Sequence, residues 1–163
     1  MKLRNLWNKF MAWLSPEKVG AVAPNIKEKI TNTPELMRQV DEIIIHCTAS
    51  DYPHHDNVES VYEWHVLENR WSAIGYHFLI TKDGKIHNTR NIERIGAHCY
   101  GRNAHSIGIC LTGKTKFSQE QFNSLKRKVN DLCDAHSIPT DHVYPHSKYA
   151  NKACPNFTLS EVL

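Results

Sequence analysis

The chain has 163 residues, of which 40% are hydrophobic and 23% are charged. That length and composition indicate one globular domain, and they exclude a chain that is disordered throughout or mostly membrane-spanning. The formal net charge of +3 comes from residues 1–18, and the rest of the chain holds 16 basic and 16 acidic residues. This balance argues against nucleic acid as a partner, because nucleic-acid-binding domains normally carry a basic face.

The N-terminal segment, residues 1–14, has apolar side chains at helical spacing with a polar opposite side. Asn8 and Lys9 interrupt it, so it is too short to span a membrane, and no clear cleavable secretion signal follows. Two interpretations stay open: peripheral contact with an anionic membrane, or a helix packed on its own domain or on a partner. We therefore divide the chain into an amphipathic segment at 1–22, a linker with a short helix at 23–40, and a domain at 41–163.

The first strand of that domain is predicted within residues 41–50, where three consecutive isoleucines are typical of a strand buried on both faces. His46 follows the isoleucines, and we expect the strand to hold it rigidly and half-exposed at its end. Taken alone, His46 is equally consistent with a metal ligand and with a core histidine bonded to a backbone carbonyl. The five cysteines are odd in number and lack paired spacing, so they do not predict a disulfide framework.

Strand and helix patterns then alternate along the chain. Asn57 is placed to cap a helix from Val58 to about residue 69, and Asp83-Gly84 is a strong hairpin signal. Ser118 to Gln121 forms a capping box that opens the longest helix, which ends before Pro139. Further strands are predicted at residues 74–81, 85–89 and 106–113. The order β-α-β-β-β-α-β predicts an α/β domain with a central mixed β-sheet covered by helices.

His146 and Cys154 stand eight residues apart near the C-terminus, in a segment without a regular pattern. Imidazole nitrogen and thiolate sulfur are typical ligands of zinc. Together with His46 they could form a three-ligand site. Such a site leaves the fourth tetrahedral position to water, which distinguishes a catalytic zinc from a structural one.

Five motifs occur in a fixed order: Ile45-His46-Cys47-Thr48-Ala49, Gly75-Tyr76-His77-Phe78, Gly96-Ala97-His98, Asn103-x-His105-Ser106-Ile107-Gly108 and Lys152-Ala153-Cys154-Pro155. Together they resemble the zinc amidases of the bacteriophage T7 lysozyme type, which are N-acetylmuramoyl-L-alanine amidases related to the peptidoglycan recognition proteins. The resemblance covers about residues 41–158. The first 33 residues lie outside it, and the chain stops soon after Phe157, where some relatives continue into another helix.

The resemblance implies Zn²⁺ bound by His46, His146 and Cys154, with Tyr76 and Lys152 assisting catalysis. The substrate would be peptidoglycan, cut at the amide bond between N-acetylmuramic acid and L-alanine. Lys152 would stabilise negative charge on the carbonyl oxygen, and Tyr76 would orient water or donate a hydrogen bond. The five motifs contain no Asp or Glu, so the group that protonates the leaving amine stays open.

Three further residues are candidate substrate contacts: His98 and His105 at the border of the groove, and Arg102 for carboxylates of the peptide. The expected role is that of a phage endolysin, made in the cytoplasm and acting on the cell wall after release, as a monomer. The alternatives are a peptidoglycan-binding module and a regulator of a phage RNA polymerase. Cys154 argues against the binding module, because such relatives typically lack the cysteine ligand.

Overall fold

The structure, a computed structural model, describes residues 38–163 and contains one five-stranded sheet. Its strands are β1 (Glu42–Cys47), β2 (Phe78–Ile80), β3 (Ile86–Asn88), β4 (Ser106–Leu111) and β5 (Val143–Pro145). They lie in the order β3-β2-β4-β1-β5, with β3 antiparallel to β2 and the other pairs parallel. The predicted mixed sheet is confirmed. The amphipathic segment 1–22 and most of the 23–40 region lie outside the described residues, and residues 38–40 are not helical.

Strand β1 is the centre of the molecule, because it pairs with β4 on one side and with β5 on the other. All six of its residues are buried, as the run of isoleucines predicts for a parallel strand covered on both faces. His46 is the fifth of the six and only 1% exposed. The expectation of a half-exposed histidine was therefore wrong, because neighbouring aromatic and histidine rings cover its side chain.

One face of the sheet packs against the long helix α2, Gln119–His136, whose bounds agree with the prediction. Ser118 and Gln121 form the predicted capping box, and Ser137 ends the helix in the left-handed conformation at φ 54°. Leu125, one of the fully buried helix residues, joins Ile43 and Ile45 of β1 in the main core. Truncating such a leucine to alanine costs about 2–5 kcal/mol of unfolding free energy.

The opposite face carries a smaller apolar cluster and the candidate site. Helix α1, Val58–Tyr62, packs Val58 and Val61 there, and the Asn57 side chain caps it by accepting from the Ser60 N–H at 2.7 Å. The predicted helix to residue 69 has the right extent, but Glu63–Glu68 are π-helical and not α-helical. Single π-helical turns are frequent at functional sites.

The strand predicted at 74–81 is shorter than expected, because its first residues leave the sheet to meet the loop of residues 89–105. The Ala97 N–H donates to the Gly75 carbonyl at 3.0 Å. Arg38 links the same loop to β4. Its guanidinium donates to the backbone carbonyls of Ile92, Asn103 and Ala104 in the loop and to that of Ser106 in β4. None of the helices within residues 38–163 combines the length and the apolar character that crossing a bilayer requires.

Candidate active site

The carboxyl ends of two parallel strands bring the first two predicted ligands together. Strand β5 pairs with β1 so that Pro145 lies opposite Ile45. His46 comes next in β1 and His146 directly follows the end of β5, and their ring centroids are 4.4 Å apart. The parallel register alone therefore joins two histidines that are a hundred residues apart in sequence.

A closed loop brings in the third predicted ligand. The Ser147 N–H donates to the Cys154 carbonyl at 2.9 Å, so His146 and Cys154 are neighbours in space despite the seven residues between them. His146 begins a 3-10 turn, and its carbonyl accepts from the Ala150 N–H at 3.1 Å. On the strand side, the backbone N–H of Cys47 donates to Cys154 Sγ at 3.4 Å. The peptide bond between Cys154 and Pro155 is cis.

The possible ligand atoms of His46, His146 and Cys154 all lie within 4.8 Å of one another. Two ligands of one tetrahedral zinc ion are about 3–4 Å apart, given bond lengths of about 2.0–2.3 Å. Two imidazole nitrogens and one sulfur form a donor set that suits zinc and leaves one coordination position open. The residues present therefore fit the metal that the motifs imply.

The electrostatic environment keeps the two histidines neutral, as ligation requires. Burial holds the pKa of His46 well below its usual value, and the nearby His98, His146 and His65 lower it further. Burial and the charge of Lys152 lower the pKa of His146. The hydrogen bond with the Cys47 thiol, together with burial, raises the pKa of Cys154, so a bound cation would have to displace its proton.

Tyr76 lies against the same cluster, with its ring centroid 5.1 Å from that of His46. Burial raises the pKa of its hydroxyl well above the usual value, and nearby thiols including Cys110 raise it further. The hydroxyl is therefore a hydrogen-bond donor at neutral pH. The chain next to Tyr76 can pass this close to the Ala97 segment only because residue 75 is glycine. A Cβ on Gly75 would collide with the carbonyl oxygen of Ala97.

Lys152 is exposed and lies two residues before Cys154 in the closed loop. Its positive charge lowers the pKa of His146, so Lys152 is close enough to the cluster to act on it. The structure thus brings together all five residues for which the sequence predicts a role in metal binding or catalysis.

Two of the predicted substrate contacts lie elsewhere. Arg102 Nε donates to Glu42 Oε1 at 2.7 Å, and the Tyr149 hydroxyl donates to Glu42 Oε2 at 2.6 Å. Glu42 begins β1, four residues before His46, which corresponds to about 13 Å at about 3.3 Å per residue. His105 is exposed at the same amino end of the strand, where its carbonyl accepts from the Asp41 N–H at 3.0 Å. Their contact with substrate stays a prediction.

Residues 36–157 match the family model of N-acetylmuramoyl-L-alanine amidase. The chain belongs to this family. An amidase of this family hydrolyses peptidoglycan, and the predicted resemblance, fold and enzymatic class are thereby confirmed.

Relatives and solved structures agree with this assignment of the amidase. This chain is 32% identical to the endolysin of Escherichia phage T7 over 127 residues, and the match covers 73% of this chain and 82% of that protein. It is 26% identical over 138 residues to peptidoglycan-recognition protein SC2 of Drosophila melanogaster, covering 79% and 75% of the two chains. The N-acetylmuramoyl-L-alanine amidase LysC from Clostridium intestinale URNW superposes with a TM-score of 0.69 at 28% identity, over 78% of this chain and 85% of that one.

Two histidines of the amidase site were not predicted to contact the ligand cluster or its neighbours. His98 Nδ1 lies 3.0 Å from His46 Nε2, and His98 is not simply at the edge of a groove. His65 Nδ1 accepts from the Gly75 N–H at 3.1 Å, and its ring lies 5.2 Å from that of Tyr76. Helical spacing places His65 on the same face as Val58, Val61 and Tyr62. This spacing is the signal in the sequence that could have indicated that His65 faces the site. No local signal reveals the partner of His98.

Proposed function

We propose that His46, His146 and Cys154 hold one zinc ion, and that the chain uses this site to cut the amide bond between N-acetylmuramic acid and L-alanine. The observation that carries the proposal is the convergence of these ligand atoms within 4.8 Å, in a member of the amidase family. When bound, zinc supplies a Lewis acid that makes water nucleophilic near neutral pH. The rest of the chemistry belongs to side chains of the protein.

Tyr76 and Lys152 act on the charge that develops during hydrolysis. The Tyr76 hydroxyl stays protonated, so it donates a hydrogen bond and does not serve as a base. The Lys152 ammonium is exposed, and its charge reaches His146; it stabilises the negative charge on the carbonyl oxygen of the scissile amide. Donors aimed at such an oxyanion typically contribute a factor of about 10²–10³ in kcat.

We further propose that the amidase acts on the bacterial cell wall as a phage endolysin. The support is the similarity to the endolysin of Escherichia phage T7, which covers 82% of that protein. Peptidoglycan is the substrate. Contact of residues 1–14 with an anionic membrane and a monomeric state remain predictions from the sequence.

The test is digestion of purified cell walls, with the products identified by mass spectrometry. We expect stem peptides with a free L-alanine amine and glycan strands that keep their lactyl groups. Cut glycosidic bonds as the only products would refute the proposed reaction.

A variant pair tests the metal site. Cys154→Ser should lose the one zinc ion per chain and all activity, while the circular dichroism spectrum stays that of the folded protein. Cys133→Ala is the matched control, because Cys133 is buried on α2 at the opposite face of the sheet. It should keep zinc and activity. Full activity of a thoroughly demetallated wild-type protein would exclude the mechanism.

A further inference from the structure

Both ring nitrogens of His98 are engaged within the protein. Its Nδ1 lies 3.0 Å from His46 Nε2, and its Nε2 lies 3.4 Å from the hydroxyl oxygen of Ser106. A neutral imidazole carries one N–H and one lone pair, so one of these contacts must be donated and the other accepted. The direction of each bond decides which nitrogen of His46 carries a proton.

Ser106 determines that direction. Its Oγ lies 2.8 Å from the backbone carbonyl of Arg102, and a carbonyl oxygen can only accept. The single hydroxyl hydrogen of Ser106 is therefore donated to Arg102, which leaves the Ser106 oxygen as an acceptor. His98 Nε2 must carry the hydrogen that Ser106 accepts, and His98 Nδ1 is left as a bare acceptor. His46 Nε2–H then donates to it, and the lone pair of His46 Nδ1 is free.

We propose that His98 is a positioning residue, through which a hydrogen-bond chain from the Arg102 carbonyl and Ser106 fixes His46 as the Nε2–H tautomer and presents its Nδ1 to the metal. This inference rests on the proposed function, because it assigns the supporting partner of one proposed zinc ligand. Metal-binding histidines usually donate their second ring N–H to a fixed acceptor, which sets the tautomer and the ring orientation. Here the acceptor is another imidazole.

The position of the His98 ring is itself fixed by its surroundings. A Cβ on Gly108 of β4 would lie 2.6 Å from His98 Cγ, and a Cβ on Gly96 would collide with His98 Cδ2. The ring therefore occupies a slot between two backbone segments that only glycine leaves open. Asn103 Oδ1 accepts from the backbone N–H of His98 at 2.7 Å and from that of Cys99 at 2.9 Å. A ring held in this way can set the orientation of its neighbour.

This arrangement also gives a common physical reason for two of the sequence motifs. Gly96-Ala97-His98 supplies the ring and one wall of its slot. The segment from Asn103 to Gly108 supplies the backbone anchor, the hydroxyl that sets the bond direction, and the other wall. Since both nitrogens of His98 are used inside the protein, neither is left to contact substrate.

The first experiment measures zinc affinity by competition with a chromophoric chelator, starting from the zinc-loaded full-length chain. His98→Ala should weaken zinc binding by about 10- to 100-fold, the usual effect of removing such a supporting partner. His98→Asn should restore most of the affinity, because its side-chain oxygen stands where Nδ1 accepts the hydrogen bond. His136→Ala, at the end of α2, is the control and should bind zinc as the wild type does.

The second experiment reads the hydrogen bond directly by NMR in the ¹⁵N-labelled full-length chain. An N–H···N bond between His46 and His98 gives a coupling between their ring nitrogens, and it identifies the nitrogen that carries the hydrogen. We expect the hydrogen on His46 Nε2. Ser106→Ala should populate both directions, because it removes the acceptor for His98 Nε2–H.

Wild-type zinc affinity in a folded His98→Ala variant would overturn the proposal, and so would a hydrogen on His46 Nδ1. The NMR measurement decides the question even if His98→Ala does not fold, because it uses the wild-type chain. Failure of the wild-type protein to bind zinc at all would instead refute the proposed function. The direction of the hydrogen bond could still be read in that case, so the two failures are distinguishable.

Discussion

Replacing His77 with glutamine should change how the stability of the protein depends on pH. His77 is 0% exposed; its Nδ1 accepts from the Gly108 N–H and its Nε2 donates to the Arg94 carbonyl, both at 3.0 Å. Burial lowers the pKa of His77 to about 4, and the charges of Arg38 and Arg90 also lower it, against the opposing effect of the Arg94 carbonyl. The ring is therefore neutral in the folded protein at neutral pH.

The magnitude follows from the difference between the folded and unfolded states. An unfolded histidine has a pKa of about 6.5, and one pKa unit corresponds to about 1.4 kcal/mol. Above pH 6.5 the neutral ring is no disadvantage, and the contribution of His77 is fully present. As the pH falls from 6.5 to 4, the unfolded chain binds a proton that the folded protein does not, so stability falls. Between pH 7 and pH 4.5 the loss from this residue is about 2 kcal/mol.

Urea denaturation at several pH values, with chelator present so that metal release does not contribute, measures this effect. At pH 7, His77→Gln should be less stable than the wild type by about 1–3 kcal/mol, because the Gly108 N–H loses its acceptor. That gap should shrink by about 2 kcal/mol by pH 4.5, since the variant has no group to titrate there. His77→Asn can keep an acceptor for the Gly108 N–H but cannot titrate. Its stability difference from the wild type at pH 7 should be smaller than that of His77→Gln, and this difference should change with pH in the same way. Parallel curves for the wild type and both variants would refute the reasoning.

Three other predictions concern catalysis, the Glu42 ion pair and the N-terminal segment. Lys152→Ala should keep its zinc and lose about 10²–10³ in kcat, and Tyr76→Phe should also act mainly on kcat; a rise in KM alone would make either residue a substrate contact. Arg102→Ala should lower the unfolding free energy by about 1–3 kcal/mol with KM unchanged, because it leaves the buried carboxylate of Glu42 without one partner; a raised KM would favour the substrate contact predicted from the sequence. Deleting residues 1–22 should spare hydrolysis of soluble muropeptides and weaken sedimentation with anionic vesicles, whereas a lower Tm with unchanged vesicle binding would favour packing on the domain.

The order of strands and helices could be predicted because each signal is local. The consecutive isoleucines of β1, the capping box at Ser118 and the Asp83-Gly84 turn each define their element without reference to the rest of the chain. The errors fall where tertiary contacts decide. Gly75 and Tyr76 leave the predicted strand because the loop of residues 89–105 lies against them. The π-helical turn at Glu63–Glu68 is likewise invisible to helical spacing.

The sequence predicted which residues form the candidate site better than it predicted how the fold arranges them. Two of the motifs contain His46 and Cys154, and the resemblance adds His146, but only the pairing of β5 with β1 explains how His46 and His146 meet. Arg102 shows the limit of residue type as a signal. A single arginine in a glycine-bounded loop suits a peptide carboxylate as well as it suits Glu42, and only the fold brings Glu42 within 2.7 Å. Burial of His46 could not be deduced either, because it depends on rings from three other segments.

The residues of the site differ in how firmly the fold holds them, and this difference matches their proposed tasks. The backbone of His46 belongs to a strand paired on both sides, and its ring meets a second ring that lies between two glycines. A metal ligand benefits from such rigidity, because the orientation of its lone pair sets the affinity. Lys152 is exposed, and its ammonium stands at the end of a four-carbon side chain that is flexible by nature. Lys152 has to stabilise a negative charge that develops only on the bound substrate. For this task a side chain that can extend to the substrate matters more than a fixed position in the free protein. We therefore infer that the scaffold fixes the metal site in advance, and that the substrate completes the environment of Lys152.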